Sequence, residues 1–147
     1  ASLWLFEFKR NTMKKIFWLI VAVFALAACA SAVSASLAGE WRLVSYGSAS
    51  NPTPADPEID TAILFDAETF NGNVGCNQFN GGYALEGSRI VLSAFTTTEM
   101  ACIGAAGEQE SALFNVLFAD TATFSLDGDA LTIASADGAS VIVLARK

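Results

Sequence analysis

The sequence predicts a mainly β fold: an antiparallel, barrel-like curved sheet of about eight short strands with one packed α-helix. Three observations carry that expectation. Short runs of β-branched and aromatic residues recur along the chain, separated by clusters of Gly, Asn, Asp and Pro. Two Asp-Gly pairs, Asp127-Gly128 and Asp137-Gly138, fall between such runs. Asp-Gly in that setting is a strong hairpin signal. One segment, 106–119, has its apolar residues at helical spacing.

The first elements concern export rather than folding. Lys14 and Lys15 follow Met13 and precede an uncharged run from Ile16 to Ala28. This is the pattern of a secretion signal. As a helix the run rises only about 20 Å, short of the roughly 30 Å hydrocarbon core, so a spanning anchor is the weaker reading. The run ends in Leu26-Ala27-Ala28-Cys29, a lipobox, where the signal is cut and the new N-terminal cysteine is acylated. Cys29 is therefore the expected lipidation site and the membrane the expected partner. The alternative is ordinary secretion, with cleavage after Ala30-Ser31-Ala32 leaving a soluble periplasmic or secreted protein. Ala30, where Asp would retain an enterobacterial lipoprotein at the inner membrane, points by resemblance to the outer membrane, facing the periplasm. Residues 1–12 read as an upstream extension, 13–28 as the signal, 29–38 as a tether of small residues and 39–147 as one domain.

Within that domain, Glu40–Tyr46 is rich in strand formers. Residues 47–60 hold all three prolines and read as a loop. Residues 62–65 and 69–74 read as strands about a turn at 66–68. Residues 75–82 read as a Gly- and Asn-rich loop, and 83–85 with 89–92 as a hairpin. Residues 96–102 fit no single element. In 106–119, Leu113, Phe114, Leu117 and Phe118 form a core-facing stripe, and Glu108 and Glu110 stand in the first turns, where carboxylates suit the helix dipole. Three strands follow, 121–126, 130–134 and 140–145, joined by the Asp-Gly turns.

Charge and composition exclude some functions. From Cys29 onward, four basic residues (Arg42, Arg89, Arg146 and Lys147) face fourteen acidic ones, a net charge of −10. Such a surface repels phosphate backbones, so no nucleic-acid partner is expected. The chain has no histidine. That removes the commonest general base and the commonest metal ligand. No catalytic residues, cofactor or metal ligands are therefore expected. Asp127 and Asp129 flank a hairpin glycine and read as turn residues.

The block Gly75-Cys76-Asn77-Gln78-Phe79-Asn80-Gly81-Gly82-Tyr83 is followed by Thr96-Thr97-Thr98-Glu99-Met100-Ala101-Cys102. Together with the opening Gly39-Glu40-Trp41-Arg42-Leu43, these resemble the signature of the META domain family, which includes the HslJ-like heat-shock lipoproteins. The likeness runs from about Leu37 to Arg146. Glu99 departs from it, since relatives often carry a basic residue there. The resemblance implies an all-β, barrel-like fold with one helix, no known enzymatic activity, and a loosely defined role in the envelope.

Read physically, Gly72, Gly75, Gly81 and Gly82 allow tight turns with positive φ, and Asn73, Asn77 and Asn80 tolerate left-handed backbone. Residues 72–83 thus form a compact structural loop or, alternatively, a binding loop with Asn77, Phe79 and Tyr83 as its contacts. Cys76 and Cys102 are the two cysteines left after lipidation. In an oxidising compartment they are expected to form a disulfide. Closing a loop of about 27 residues stabilises by roughly 3.5 kcal/mol in the chain-entropy model. Two buried thiols, or one reactive thiol, are the competing readings.

The expectation is a non-enzymatic, monomeric envelope lipoprotein acting through binding or envelope-stress maintenance, with an unknown envelope protein or small ligand as partner. An interaction or inhibitor module of the periplasm or cell surface is the alternative. A thiol-based enzyme is the third and weakest reading.

Overall fold

The structure is a computed structural model that describes residues 37–147. The signal, Cys29 and most of the tether lie outside the described residues. The strands are β1 (Gly39–Ser48), β2 (Thr53–Pro54), β3 (Ala62–Phe65), β4 (Thr69–Asn73), β5 (Gln78–Glu86), β6 (Arg89–Thr97), β7 (Thr121–Asp127), β8 (Ala130–Ser135) and β9 (Ser140–Arg146). One helix, α1 (Gly104–Leu117), lies between β6 and β7. Every strand pair is antiparallel, and β1 pairs with β9, which closes eight strands into a barrel. β2 adds only a short pairing to β1 through Ser45 and Tyr46. Closure removes the open edges that a sheet of this size would otherwise expose.

Alternation along the strands fills the barrel. Trp41, Ile63, Phe65, Phe70, Phe79, Ile90, Leu131, Ile133, Ile142 and Leu144 are all buried. Two bulges keep that alternation pointed inward. In β1 the register shifts between Leu43 and Ser45, so Tyr46 returns to the interior. In β6, Ala94 and Phe95 together oppose Gly81, and Ala94 has φ 49°. Without that extra residue Phe95 would follow the parity of Ser93 and face solvent. With it, Phe95 turns in and stacks on Phe79, with ring centroids 6.0 Å apart.

α1 crosses the end of the barrel where β5 begins and β6 ends. It packs on β1, β7, β8 and β9. Its Phe114 meets Phe79 and Phe95 edge-on. Leu113, Val116 and Leu117 are its buried apolar residues. At the other end of the barrel, Leu37 is fully buried, and its carbonyl accepts a bond from Trp41 Nε1 at 2.9 Å. The Arg146 guanidinium lies over the Trp41 ring at 4.3 Å. The domain therefore begins by Leu37, inside the segment expected as tether.

Several boundaries differ from expectation for identifiable reasons. β5 starts at Gln78, so residues 78–82 are strand rather than loop, and β6 runs on to Thr97. Gly72, Gly81 and Gly82 do not adopt positive φ. They are strand positions where another group occupies the place of a side chain. A Cβ on Gly81 would stand 2.7 Å from the Phe70 ring, and one on Gly72 would collide with the Ala62 carbonyl. Gly75 alone of the four makes the expected turn, at φ 127°. α1 begins at Gly104, so Glu108 and Glu110 stand in its second turn, and no acid lies in the first. Phe118 is the C-cap and is exposed, so the apolar stripe ends at Leu117.

Candidate functional site

The two signature blocks meet beneath the first half of α1. Cys76, just before β5, and Cys102, just before α1, are joined by a disulfide with Cα atoms 6.1 Å apart. Between them sits Asn77, which is buried. Its side-chain amide donates to Glu110 Oε1 at 2.7 Å and to the Met100 carbonyl at 3.1 Å. It also stands 3.1 Å from Cys102 Sγ. Its Oδ1 accepts from Thr98 Oγ1 and from the Met100 N–H, both at 2.8 Å. Its own backbone N–H donates to Glu110 Oε2 at 2.6 Å. One asparagine thus ties the start of β5, the 98–102 loop and α1 together. The neighbouring Asn73 organises the approach, accepting from the Gly75 N–H and donating to the Cys76 carbonyl.

Gln109 does similar work one residue earlier on α1. It is fully buried, accepts from the Asp56 N–H at 2.6 Å and donates to the Val74 carbonyl at 3.0 Å. The proline-rich loop is fastened in this way. Sequence reading passed over Gln109 and gave Glu110 only a dipole role. The signal was available: extending the Leu113–Leu117 stripe back one turn lands on Gln109 and Glu110, polar residues on an inward face. Among the described residues no buried side-chain polar atom lacks a partner.

The alternative reading of Asn77, Phe79 and Tyr83 as binding contacts is therefore corrected in favour of a structural role. Asn77, Phe79 and Tyr83 are each no more than 5% exposed. Phe79 and Tyr83 point into the barrel because the true start of β5 sets their parity. Tyr83 donates its hydroxyl to the Asp66 carbonyl at 2.6 Å. Burial, and then the Asp66 charge, raise its pKa above the ordinary value. Tyr46 is raised by burial, then by Glu108 and Asp56. The apolar groups that do reach solvent here are Met100 and Ile103, the latter 89% exposed, on the loop that carries Cys102. Beside them an open cavity of about 460 Å³ is lined by Cys102, Gly104, Gly107, Glu108, Ser111 and Asn115, among others. Cys76, Cys102 and Glu110 each bring one potential ligand atom within 4.8 Å of the others. Asp127 and Asp129 sit at the β7–β8 turn, as expected of turn residues.

A closed eight-stranded antiparallel barrel, plugged by one helix and cross-linked at that helix by a buried asparagine and a disulfide, defines the class. The META domain profile matches residues 35–147, and the chain belongs to that family. Residues 13–30 match the prokaryotic membrane lipoprotein lipid attachment site. That match supports a bacterial lipoprotein anchored in the envelope through lipidated Cys29. No curated protein matches. Among solved structures, the chain is similar to an NMR structure of a protein from Burkholderia xenovorans, at 19% identity and TM-score 0.62, over 78% of this chain and 86% of that one. It is also similar to a crystal structure of a DUF4847 family protein from Bacteroides vulgatus, at 18% identity and TM-score 0.57, over 79% and 98%. Likeness at this identity concerns the fold. Among the described residues no helix is long and apolar enough to cross a membrane.

Proposed function

We propose that this protein is a non-enzymatic envelope lipoprotein that acts by binding, held by lipidated Cys29 at the outer membrane and facing the periplasm. The observation that carries the reading is the use made of the signature residues. Asn77, Glu110, Gln109 and the two cysteines satisfy one another in a buried network, and none presents a free polar group to a substrate. A domain whose signature is spent on rigidity suits a scaffold better than a reaction centre. The exposed Met100 and Ile103 favour the 98–104 loop as the binding apex, replacing the buried aromatics as candidate anchors. A role in envelope maintenance under stress belongs to the same reading.

The test is complementation of envelope integrity in a strain lacking the protein. The wild-type chain restores it, Cys29→Ser fails, and Ile103→Asp fails while folding normally by circular dichroism. A hydrolytic or redox turnover by the purified protein, abolished by one substitution, would refute the non-enzymatic reading.

A further inference from the structure

Glu110 is a buried carboxylate with no cation beside it among the described residues. It is 6% exposed, and among the described residues it takes part in no ion pair. Buried anions are ordinarily paired with a positive charge or bound to a metal, because removing them from water is costly. Here Asn77 supplies the hydrogen-bond donors, one to each carboxylate oxygen. Those bonds fix the carboxylate's orientation without neutralising it. Beside it stand the two cysteine sulfurs, within 4.8 Å of its nearer oxygen. Cys102 Sγ is 3.3 Å from Oε1.

This donor set is the kind that holds a thiophilic cation. A tetrahedral zinc with Zn–S near 2.3 Å and Zn–O near 2.0 Å sets its ligand atoms roughly 3.5–3.8 Å apart. The sulfur–carboxylate edge is close to that spacing. The sulfurs need only part from bonding to non-bonding distance, within the swing of a cysteine about its Cα–Cβ bond. The further requirements of a site are also met. Asn77 orients the carboxylate from behind. The open cavity lined by Cys102, Gly104, Gly107 and Ser111 brings solvent to the Cys102 side of the cluster, and both cysteines are only half-buried. The Asn77 bonds to Met100, Thr98 and Glu110 hold the two loops in place without the disulfide.

We propose that Cys76, Cys102 and Glu110 form a binding site for a divalent cation of the zinc class in the newly exported, unoxidised chain, and that the disulfide is the metal-free form of the same site. Binding places the cation on two thiolates and one carboxylate and releases two thiol protons. Oxidation by a disulfide-bearing partner forms the Cys76–Cys102 bond and splits the partner's S–S bond into two thiols. The partner takes the two electrons, with two protons from solvent, and the cation leaves. The proposal is independent of the binding function above.

The experiment uses the lipidated mature chain in detergent, reduced anaerobically with a phosphine and then freed of it. Zinc is titrated calorimetrically, and cobalt is used as a coloured substitute whose thiolate charge-transfer absorption reports sulfur ligation. Expected are one equivalent bound by the reduced chain, none by the oxidised chain, and a cobalt–thiolate band that Cys76→Ser weakens. Glu110→Gln removes a charged ligand and lowers affinity by at least the roughly 10–100-fold that loss of a mere outer-shell partner costs. Bound zinc also slows alkylation of both cysteines. Failure of the reduced wild-type chain to bind overturns the proposal. So does equal binding by the oxidised chain, which would assign the ion to surface acids. Should Glu110→Gln unfold on reduction, Cys76→Ser decides alone, because it leaves the Asn77–Glu110 bonds in place: unchanged zinc affinity and an unchanged cobalt band overturn the site.

Discussion

Replacing Asn77 with Ala tests whether the signature block is structural. The side chain is buried and makes four well-formed hydrogen bonds: one to the Glu110 carboxylate, two to the Met100 backbone and one to Thr98. A hydrogen bond to a charged group contributes about 1.5–3 kcal/mol, and a neutral one about 0.5–1.5 kcal/mol. The simple sum overstates the loss, because Thr98 and Met100 lie near the surface and water replaces part of it. The Glu110 carboxylate, left buried with one donor fewer, dominates what remains. A destabilisation of about 3–5 kcal/mol is expected, a large share of the 5–15 kcal/mol typical of a domain. For a domain of this size that lowers Tm by very roughly 10–25 °C. The assay is urea unfolding followed by tryptophan fluorescence, with the disulfide verified intact in both proteins. A loss under about 1 kcal/mol, with unchanged m-value, would mean that Asn77 does not hold the loops together and that the block is free to serve a ligand.

Three further outcomes are expected. Gly81→Ala places a methyl 2.7 Å from the packed Phe70 ring and is expected to cost about 1–3 kcal/mol in chemical denaturation, although residue 81 is a strand position where alanine is otherwise acceptable. Ala94→Gly relieves a left-handed residue at the β6 bulge and is expected to hold stability or raise it by up to about 1 kcal/mol, whereas Ala94→Val lowers it by about 1–2 kcal/mol in the same assay. Alkaline unfolding follows from Tyr83 and Lys147, both held above their ordinary values of 10.0 and 10.5, the first chiefly by burial and the second by the hydrogen bonds it donates to Asp60 and Glu40. A raised folded-state pKa means that the native state binds the proton more tightly. Stability from these groups is therefore complete below pH 10 and is lost as pH rises through the raised values. The urea midpoint is expected to hold up to about pH 10 and to fall as pH rises beyond it, and to fall less in Tyr83→Phe.

Much of the barrel was legible because alternation and turn chemistry are local. The strands after α1 are hairpins set by Asp-Gly turns, and each extends one residue past its expected end. The strands around Gly75–Gly82 were not legible, because glycine and asparagine carry loop propensity and the reason for them is tertiary. Gly72 and Gly81 leave room for the Ala62 carbonyl and the Phe70 ring, partners 10 and 11 residues away in sequence. The bulge at Ala94 was equally hidden. No local residue announces it, yet it turns Phe95 inward and so changes what the end of the barrel is made of.

At the candidate site, residue identity was legible but direction was not. Cys76, Cys102 and Asn77 were singled out, while Glu110 entered only as a charge near a helix end. Burial decides between the two readings of the block, against a binding loop and for an internal brace. It also separates two effects that look alike. The disulfide acts mainly on the unfolded chain, by shortening its accessible loop. The Asn77 network acts on the native state, by holding both loops to α1. Reduction should therefore lower stability while leaving the native geometry in place. The dithiol form is then a defined folded state with a carboxylate fixed beside it, rather than a frayed loop. That distinction lets the unoxidised chain present three preorganised ligands at once.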